Sequence, residues 1–277
     1  MPDEKNPAAA KPRPVVITNQ IEPQAGNTAA AGDFAPERVD LPSAPAGKAL
    51  YPASPAAFGF VNVRPITTVE EEILATPRFW AQGVAIDMVL SKCILTKGIN
   101  TLDLVSGDRS HILFYLRTIS YGPKYTFRVV MKDGVEQEVE TDVSKLKVRQ
   151  ASPELVEPFT FQVGGVTYQG RLSRGHDEAA IIQSRLRVQR DNPKGGAEPA
   201  PRETLKRLLV SVNGSTDAGD IERHINGLIA GNAQKVRREL AKGAPGLDME
   251  VDVTNDRTGE LEKVQVSITE SFFRSDD

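Results

Sequence analysis

The chain is poor in the side chains that most chemistry uses. Cys93 is the one cysteine among 277 residues, which excludes an internal disulfide and a cysteine-only zinc site. The three histidines, His111, His176 and His224, lie far apart, and none forms a His-x-x-x-His pair. Apolar residues make up 39% of the chain and aromatic residues 6%. The apolar share falls below the roughly 45–50% of an average globular domain, although that average also counts glycine, so part of the chain is expected to stay unpacked. No run approaches the roughly 18 apolar residues of a membrane span. There is no excess of positive charge: 34 Lys and Arg face 37 Asp and Glu, a formal net charge of −3. That balance argues against a dedicated nucleic-acid binder and against a polybasic membrane-surface protein. The opening residues, MPDEKNPAAAKPRP, contain no apolar segment of a secretory signal. The expectation is a soluble protein in a reducing cytoplasm.

What is present divides unevenly. Ten of the 19 prolines fall within residues 1–60, among many alanines and scattered apolar side chains. Proline removes backbone donors, and isolated apolar residues cannot offset the entropy of ordering a chain. Residues 1–65 therefore read as a Pro/Ala-rich N-terminal tail, disordered or ordered only on a partner. Pro14-Val15-Val16-Ile17 and Phe58-Gly59-Phe60-Val61 are its candidate docking points. Residues 66–190 read as a helical-plus-hairpin half, 191–201 as a polar Pro/Gly linker, and 202–277 as a helical half ending in a hairpin, the two halves forming one interdependent body.

The body opens with Thr68 and Glu71 at capping-box spacing. Thr76-Pro77 then starts a helix whose stripe runs through Phe79, Gly83, Ile86, Leu90 and Ile94 and ends near Gly98. A further helix is expected over Asp108–Ser120, with Ile112, Leu113, Leu116 and Ile119 on one face. The period then switches to two: Tyr125, Phe127, Val129 and Met131 alternate with polar residues, Asp133-Gly134 marks a tight turn, and Glu136, Glu138 and Glu140 line the return strand. Basic and acidic rows on facing strands predict paired charges on a solvated face. A second hairpin turns at Gly164-Gly165. Helical patterns follow after Gly175, around Leu205, Leu208 and Leu209, and from Ile221 to Leu240. A third hairpin spans Leu247–Ile268 across Asn255–Gly259. Helices segregated from antiparallel hairpins give an α+β fold.

Catalytic groupings are not visible. No strand-turn-helix carries a Gly-rich phosphate loop. Cys93 lies among apolar residues and reads as a buried inert thiol. His176-Asp177-Glu178 is read as helix-start chemistry, because neighbouring helical residues point in different directions, and the histidines as surface or capping groups. Lys235, Arg237, Arg238 and Lys242, like Arg185, Arg187 and Arg190, share their helices with acids, so nucleic acid is not expected as a partner. Phe79, Trp80 and Val84 read as core. Phe272 and Phe273 are adjacent at the end of a strand and so point to opposite faces, which leaves one of them to seek a partner.

Several segments form an ordered set: Thr76-Pro77-Arg78-Phe79; Ser106-Gly107-Asp108-Arg109; Ser120-Tyr121-Gly122-Pro123-Lys124-Tyr125; Arg171-Leu172-Ser173-Arg174-Gly175-His176-Asp177-Glu178; Val212-Asn213-Gly214; Ala244-Pro245-Gly246-Leu247-Asp248; and Phe272-Phe273. Over about residues 66–274 this set resembles the baseplate hub assembly proteins of T-even-type contractile-tailed phages. The resemblance implies a non-enzymatic hub component or assembly factor that binds tail and hub proteins. It acts in the host cytoplasm during assembly or in the virion tail. A tape-measure chaperone absent from the virion is the alternative. Partner contacts are expected at Phe58, Phe60, Phe272, Phe273 and Arg274, with no cofactor, no metal and no catalytic residue. Many relatives carry Cys-x-x-Cys pairs in the hairpins after the Ser-Tyr-Gly and Pro-Gly-Leu-Asp segments. Here those regions read Val130-Met131-Lys132-Asp133-Gly134 and Thr254-Asn255-Asp256-Arg257-Thr258-Gly259, so ordinary turn chemistry must replace any zinc.

Overall fold

The computed structural model describes residues 34–192, 198–268 and 270–273. The fold is α+β, and its compact unit begins at Ala35. This corrects the expectation of a tail running to residue 65. Strands β1 (Glu37–Asp40) and β2 (Phe60–Val63) pair antiparallel, Glu37 with Val63 through Asp40 with Phe60. Val39, Leu41, Leu50, Tyr51, Val61 and Val63 are buried. The prolines punctuate this segment: Pro45 and Pro55 open 3-10 turns at Ala44–Ala46 and Pro55–Phe58, where the missing N–H has no intrahelical acceptor to satisfy. Short helix α1 (Gly47–Leu50) lies between those turns. Pro14–Ile17 and the rest of 1–33 lie outside the described residues.

Helix α2 (Thr68–Leu74) starts one residue earlier than the Thr68–Glu71 pattern suggests. The Thr67 N–H (3.0 Å) and hydroxyl (2.8 Å) both donate to Glu70, and Arg64 grips the same carboxylate with two bonds of 2.9 and 3.0 Å. The buried ion pair selects the register. The stripe expected to run unbroken from Pro77 is two helices, α3 (Pro77–Gln82) and α4 (Ala85–Cys93). Gly83 ends α3 in the left-handed region, at φ +71°, and a Cβ there would lie 2.6 Å from Ile182. Helix α5 (Ser106–Tyr121) contains the expected helix and runs through the middle of the main core.

Strands β3 (Lys124–Val130) and β4 (Glu136–Asp142) form the first expected hairpin. Arg128 meets Glu138 at 3.5 Å and Lys124 meets Glu140 at 3.1 Å on its solvated face. β5 (Val148–Arg149) later pairs with β9 (Gly246–Leu247). β6 (Phe159–Val163) and β7 (Val166–Gly170) turn at Gly164 and Gly165, both at positive φ, as a two-residue hairpin turn requires. After α6 (Gly175–Asp191) and α7 (Ala200–Leu208) comes β8 (Leu209–Val212), which pairs with β7. Leu209 was expected to be helical. It instead sits on the sheet, where its β-branched neighbours Val210 and Val212 suit a strand. Helices α8 (Ala218–Gly227) and α9 (Ala230–Ala241) replace the single stripe expected there, and β10 (Glu250–Thr254) and β11 (Leu261–Gln265) make the last hairpin.

Three apolar clusters result. The largest gathers β1, β2, α2, α4, α5 and Phe272–Phe273. A second lies between the β6-β7-β8 sheet and α7, α8 and α9, with Val163, Tyr168, Leu205, Ile221, Val236 and Leu240 buried. It draws on residues from both sides of the 191–201 segment, of which 193–197 lie outside the described residues. The third joins the inner faces of the first and last hairpins through Met131, Val139, Val253 and Val264.

Candidate functional site

The segments that stand out in the sequence converge on the start of α5. Gly107 is fully committed: a Cβ there would collide with the Pro245 carbonyl oxygen and lie 2.9 Å from the Gly246 Cα. Asp108 is wholly buried. It accepts from the Ser43 N–H (3.0 Å), the Ser43 hydroxyl (2.5 Å) and the Tyr51 hydroxyl (2.6 Å). Tyr51 in turn accepts from the Val105 N–H at 2.8 Å. Burial pushes the Asp108 carboxyl up, against the hydrogen bonds that favour its charged form, and burial with the Asp108 charge pushes the Tyr51 phenol up. Arg109, also buried, reaches the Thr101 carbonyl at 2.5 Å, Glu178 at 3.2 Å and Asp87 at 3.3 Å. Its guanidinium occupies the space a side chain on Gly175 would need, 2.6 Å from that Cβ.

The Arg171–Glu178 segment completes this knot. Arg171 and Asp177 form a two-bond pair at 2.7 and 2.7 Å, and Arg174 binds Glu157 at 2.8 Å and the Leu50 carbonyl at 3.1 Å. The Ser106 N–H donates to the Ser173 carbonyl at 2.8 Å. These groups hold the fold by tying residues 43–51, α5 and α6 together.

The terminal aromatics do not behave as expected. Phe272 and Phe273 are 0% and 3% exposed. The chain end forms a 3-10 turn, Glu270–Phe273, rather than continuing the strand, so both rings turn inward. Phe272 lies 4.6 Å from Phe114, 5.0 Å from Tyr125 and 4.9 Å from Phe273, and Phe273 lies 6.3 Å from Trp80. The Arg117 guanidinium stands 5.5 Å from the Phe272 ring and its Nε donates to the Phe272 carbonyl at 2.9 Å. These rings are core, and the expectation of a partner contact there is corrected. Arg274 lies outside the described residues.

Phe58 and Phe60 are separated by function. Phe58 is 79% exposed on the Pro55–Phe58 turn. That turn is capped by Gly59 at φ +79°, where a Cβ would lie 2.7 Å from the Ala44 side chain. Phe60 is half-buried beneath Arg38, whose guanidinium is 3.9 Å from the ring centre. One aromatic is thus offered to solvent from a firm turn, and the other supports the strand.

The two hairpin tips singled out by their missing cysteines come together in space. Glu262, 5% exposed, accepts from the Lys132 N–H at 2.9 Å and the Asn255 amide at 3.1 Å. Arg257 binds Asp133 at 2.8 Å, while Gln137 donates to the Thr254 carbonyl and accepts from the Asp256 N–H, both at 3.0 Å. With no cysteine at either tip, the residues present do not form a thiolate metal site; hydrogen bonds and the third cluster join the tips instead. Among the described residues no group of three His, Cys, Asp or Glu side chains is arranged to hold a metal ion.

Cys93, His176 and His224 have structural roles. Burial pushes the Cys93 thiol up to about 12, far from a reactive thiolate. His176 meets Asp103 at 2.8 Å and His224 meets the Tyr168 hydroxyl at 2.9 Å. His111 departs from the expected surface role: burial lowers its pKa, and among the described residues its Nδ1 is buried without a hydrogen-bond partner. An open groove of about 620 Å³ runs beside β3, lined among others by Phe127, Arg128, Val130, Gln265 and Ser267.

Residues 51–167 match the family model described as T4 bacteriophage base plate protein. No curated protein and no solved structure matches the chain. The matched segment runs from Tyr51 and holds Asp108, Arg109, the β3–β4 hairpin and most of the β6–β7 hairpin, so it covers the α5 part of the buried knot, while Ser43 and Arg171–Glu178 lie outside it. Over this segment the chain is similar to the T4 bacteriophage base plate protein family, which supports a T4-type phage baseplate protein.

Proposed function

We propose that this protein is a non-enzymatic component of the baseplate hub, or a factor in the hub's assembly, that acts by binding other tail proteins. The base plate match over residues 51–167 carries the reading. The placement of Phe58 supports it. A large apolar ring held in water on a capped turn costs solvation without contributing to the core, and aromatic anchors of this kind dominate binding energy at protein interfaces. Among the described residues Phe58 is the expected partner contact that is largely exposed.

Quantitative mass spectrometry of density-purified particles beside infected-cell lysate tests the role. A small fixed copy number per particle identifies a hub component. Abundance in lysate with absence from particles identifies an assembly factor, the tape-measure chaperone among them. In the same system Phe58→Ala is expected to lower incorporation or complex formation while leaving thermal unfolding unchanged. Wild-type assembly with Phe58→Ala removes that contact from the reading. Clearing of peptidoglycan in a zymogram by the purified protein would overturn the non-enzymatic assignment.

A further inference from the structure

Two groups of basic residues read alike in the sequence, and the structure separates them. On α6, Arg185 binds Glu198 at 2.9 Å and Arg190 binds Asp191 at 3.1 Å, which leaves Arg187 alone without a partner. On α9 the balance is reversed. Among the described residues the side chains of Lys235, Arg237 and Arg238 form no hydrogen bond, ion pair or ring contact, and Lys242 meets Glu239 at 3.5 Å. Glu239 is the one carboxylate on this helix. The acids of the preceding helix α8 are engaged elsewhere. Asp220 binds Arg223 at 2.7 Å, Glu222 binds Lys206, and the Asp217 that caps α8 accepts from the Asp220 N–H at 2.9 Å.

Helical spacing gathers these cations on one side. Ala233, Val236 and Leu240 turn α9 toward its core. At about 3.6 residues per turn, the opposite side carries Gly231, Gln234, Lys235, Arg238, Ala241 and Lys242, all of them exposed. Gly231 and Ala241 keep both ends of the row low, and a Cβ on Gly231 would meet nothing within 4 Å. Lys235, Arg238 and Lys242 rise along the helix in steps of about 4.5 and 6 Å, the steps at which a facing helix repeats its own i, i+3 and i+7 positions. An extended strand repeats a face about every 6.6 Å and falls out of step with them. At the head of the row stands Ile229, 75% exposed. It is the N-cap of α9, and its carbonyl accepts from the Asn232 N–H (2.9 Å) and the Ala233 N–H (3.0 Å), so an apolar side chain is held in water at one end of the row. Nucleic acid suits this face less well. Single strands are gripped by aromatic stacking, and neither α8 nor α9 contains Phe, Tyr or Trp. A duplex offers phosphates to the cations but nothing to cover Ile229.

We propose that the exposed face of α9 docks an acidic helix of another protein, with carboxylates opposite Lys235, Arg238 and Lys242 and an apolar residue over Ile229. Charge complementarity of this kind chooses the partner and speeds the encounter, while the apolar contact adds burial. The surface is separate from the Phe58 turn, and the proposal holds whether the protein stays in the particle or leaves it.

The test uses the full chain and three probes: a capped helical peptide with Glu at the i, i+3 and i+7 positions and Leu at one end, the same peptide with Gln for Glu, and a short DNA duplex. The Glu peptide is expected to bind saturably, more tightly than either other probe, and less tightly as salt rises. Lys235→Glu combined with Arg238→Glu should weaken it about tenfold. Neither side chain has a partner to lose, so thermal unfolding should not change. Ile229→Ser should weaken binding about threefold. Arg187→Glu, which reverses an unpaired cation on α6, should bind as the wild type does and so separates this face from net charge. In the wild-type chain a carbodiimide should couple the peptide's carboxylates to Lys235 or Lys242, a readout that stands even if the double variant misfolds. The proposal fails if the Glu peptide does not bind, if the Gln peptide binds equally, if Ile229→Ser changes nothing, if Arg187→Glu weakens binding as much as the α9 pair, or if coupling falls on other lysines. Tighter binding of the duplex would assign the face to nucleic acid and overturn the proposal as well.

Discussion

Replacing Phe272 with alanine separates a core role from a binding role. The ring is 0% exposed and packs against Phe114, Tyr125 and Phe273 at centroid distances of 4.6–5.0 Å. Truncating a buried phenylalanine costs about 3–5 kcal/mol, from lost transfer energy and from the cavity left behind. The site has little means of collapsing, because Arg117 is held in place by bonds to the Phe272 and Gly122 carbonyls. The upper half of that range is therefore expected, a large share of the roughly 5–15 kcal/mol that stabilises a folded protein. In urea the midpoint should fall by about 1–2 M at an unchanged slope. Phe58→Ala, at a ring 79% exposed, should stay within about 0.5 kcal/mol of wild type. A Phe272→Ala loss below about 1 kcal/mol would refute the core assignment, since only an exposed or readily rearranged ring is that cheap.

Gly107→Ala should be more damaging than its size suggests, at least about 1–3 kcal/mol by thermal or urea unfolding, because the new methyl meets the Pro245 carbonyl and Gly246; a neutral result would mean that α5 and β9 are not in contact. Glu262→Ala strips the acceptor from the Lys132 N–H and the Asn255 amide, with an expected cost of about 1–3 kcal/mol and faster amide exchange at both hairpin tips. Acid unfolding should show the Glu70 carboxylate. Burial alone would raise its pKa, but the Arg64 and Thr67 hydrogen bonds outweigh burial and hold it at about 2 against an ordinary 4.5. Its stabilisation is then fully present above about pH 4.5 and is lost as pH falls from there through 2; Glu70→Gln should flatten that limb of the stability curve.

The motifs that carried the resemblance are chiefly architectural. The polar groups of Ser106–Arg109 and Arg171–Glu178 are buried or half-buried, the exposed His176 apart, and are paired to one another and to residues 43–51. Groups of this kind tolerate little change, because an unpaired partner left in the interior is costly. Their order along the chain therefore carries the resemblance, although most of them are turned from solvent and only His176 is exposed.

What the sequence determined by itself was local. Alternation over Tyr125–Met131, the Asp133-Gly134 and Gly164-Gly165 turns, and the apolar face of α5 follow from period and turn chemistry, which neighbouring residues impose on one another. So do the α+β class and the charge ladder between β3 and β4. Tertiary structure decided the rest. Residues 35–65 look like a tail because their apolar side chains are sparse, yet they fold because α5 supplies the partner for Tyr51 and Ser43, and β1 and β2 complete each other across 19 intervening residues. Gly83 breaks a helix whose stripe continues past it, because Ile182 of a distant helix occupies the space beside it. Phe272 and Phe273 turn inward for the same reason. Alternation assigns them opposite faces only if the strand continues, and the cavity between Phe114, Tyr125 and Trp80 draws both rings in once it does not. Burial is a property of the assembled core, and a residue's own neighbours in sequence do not specify it.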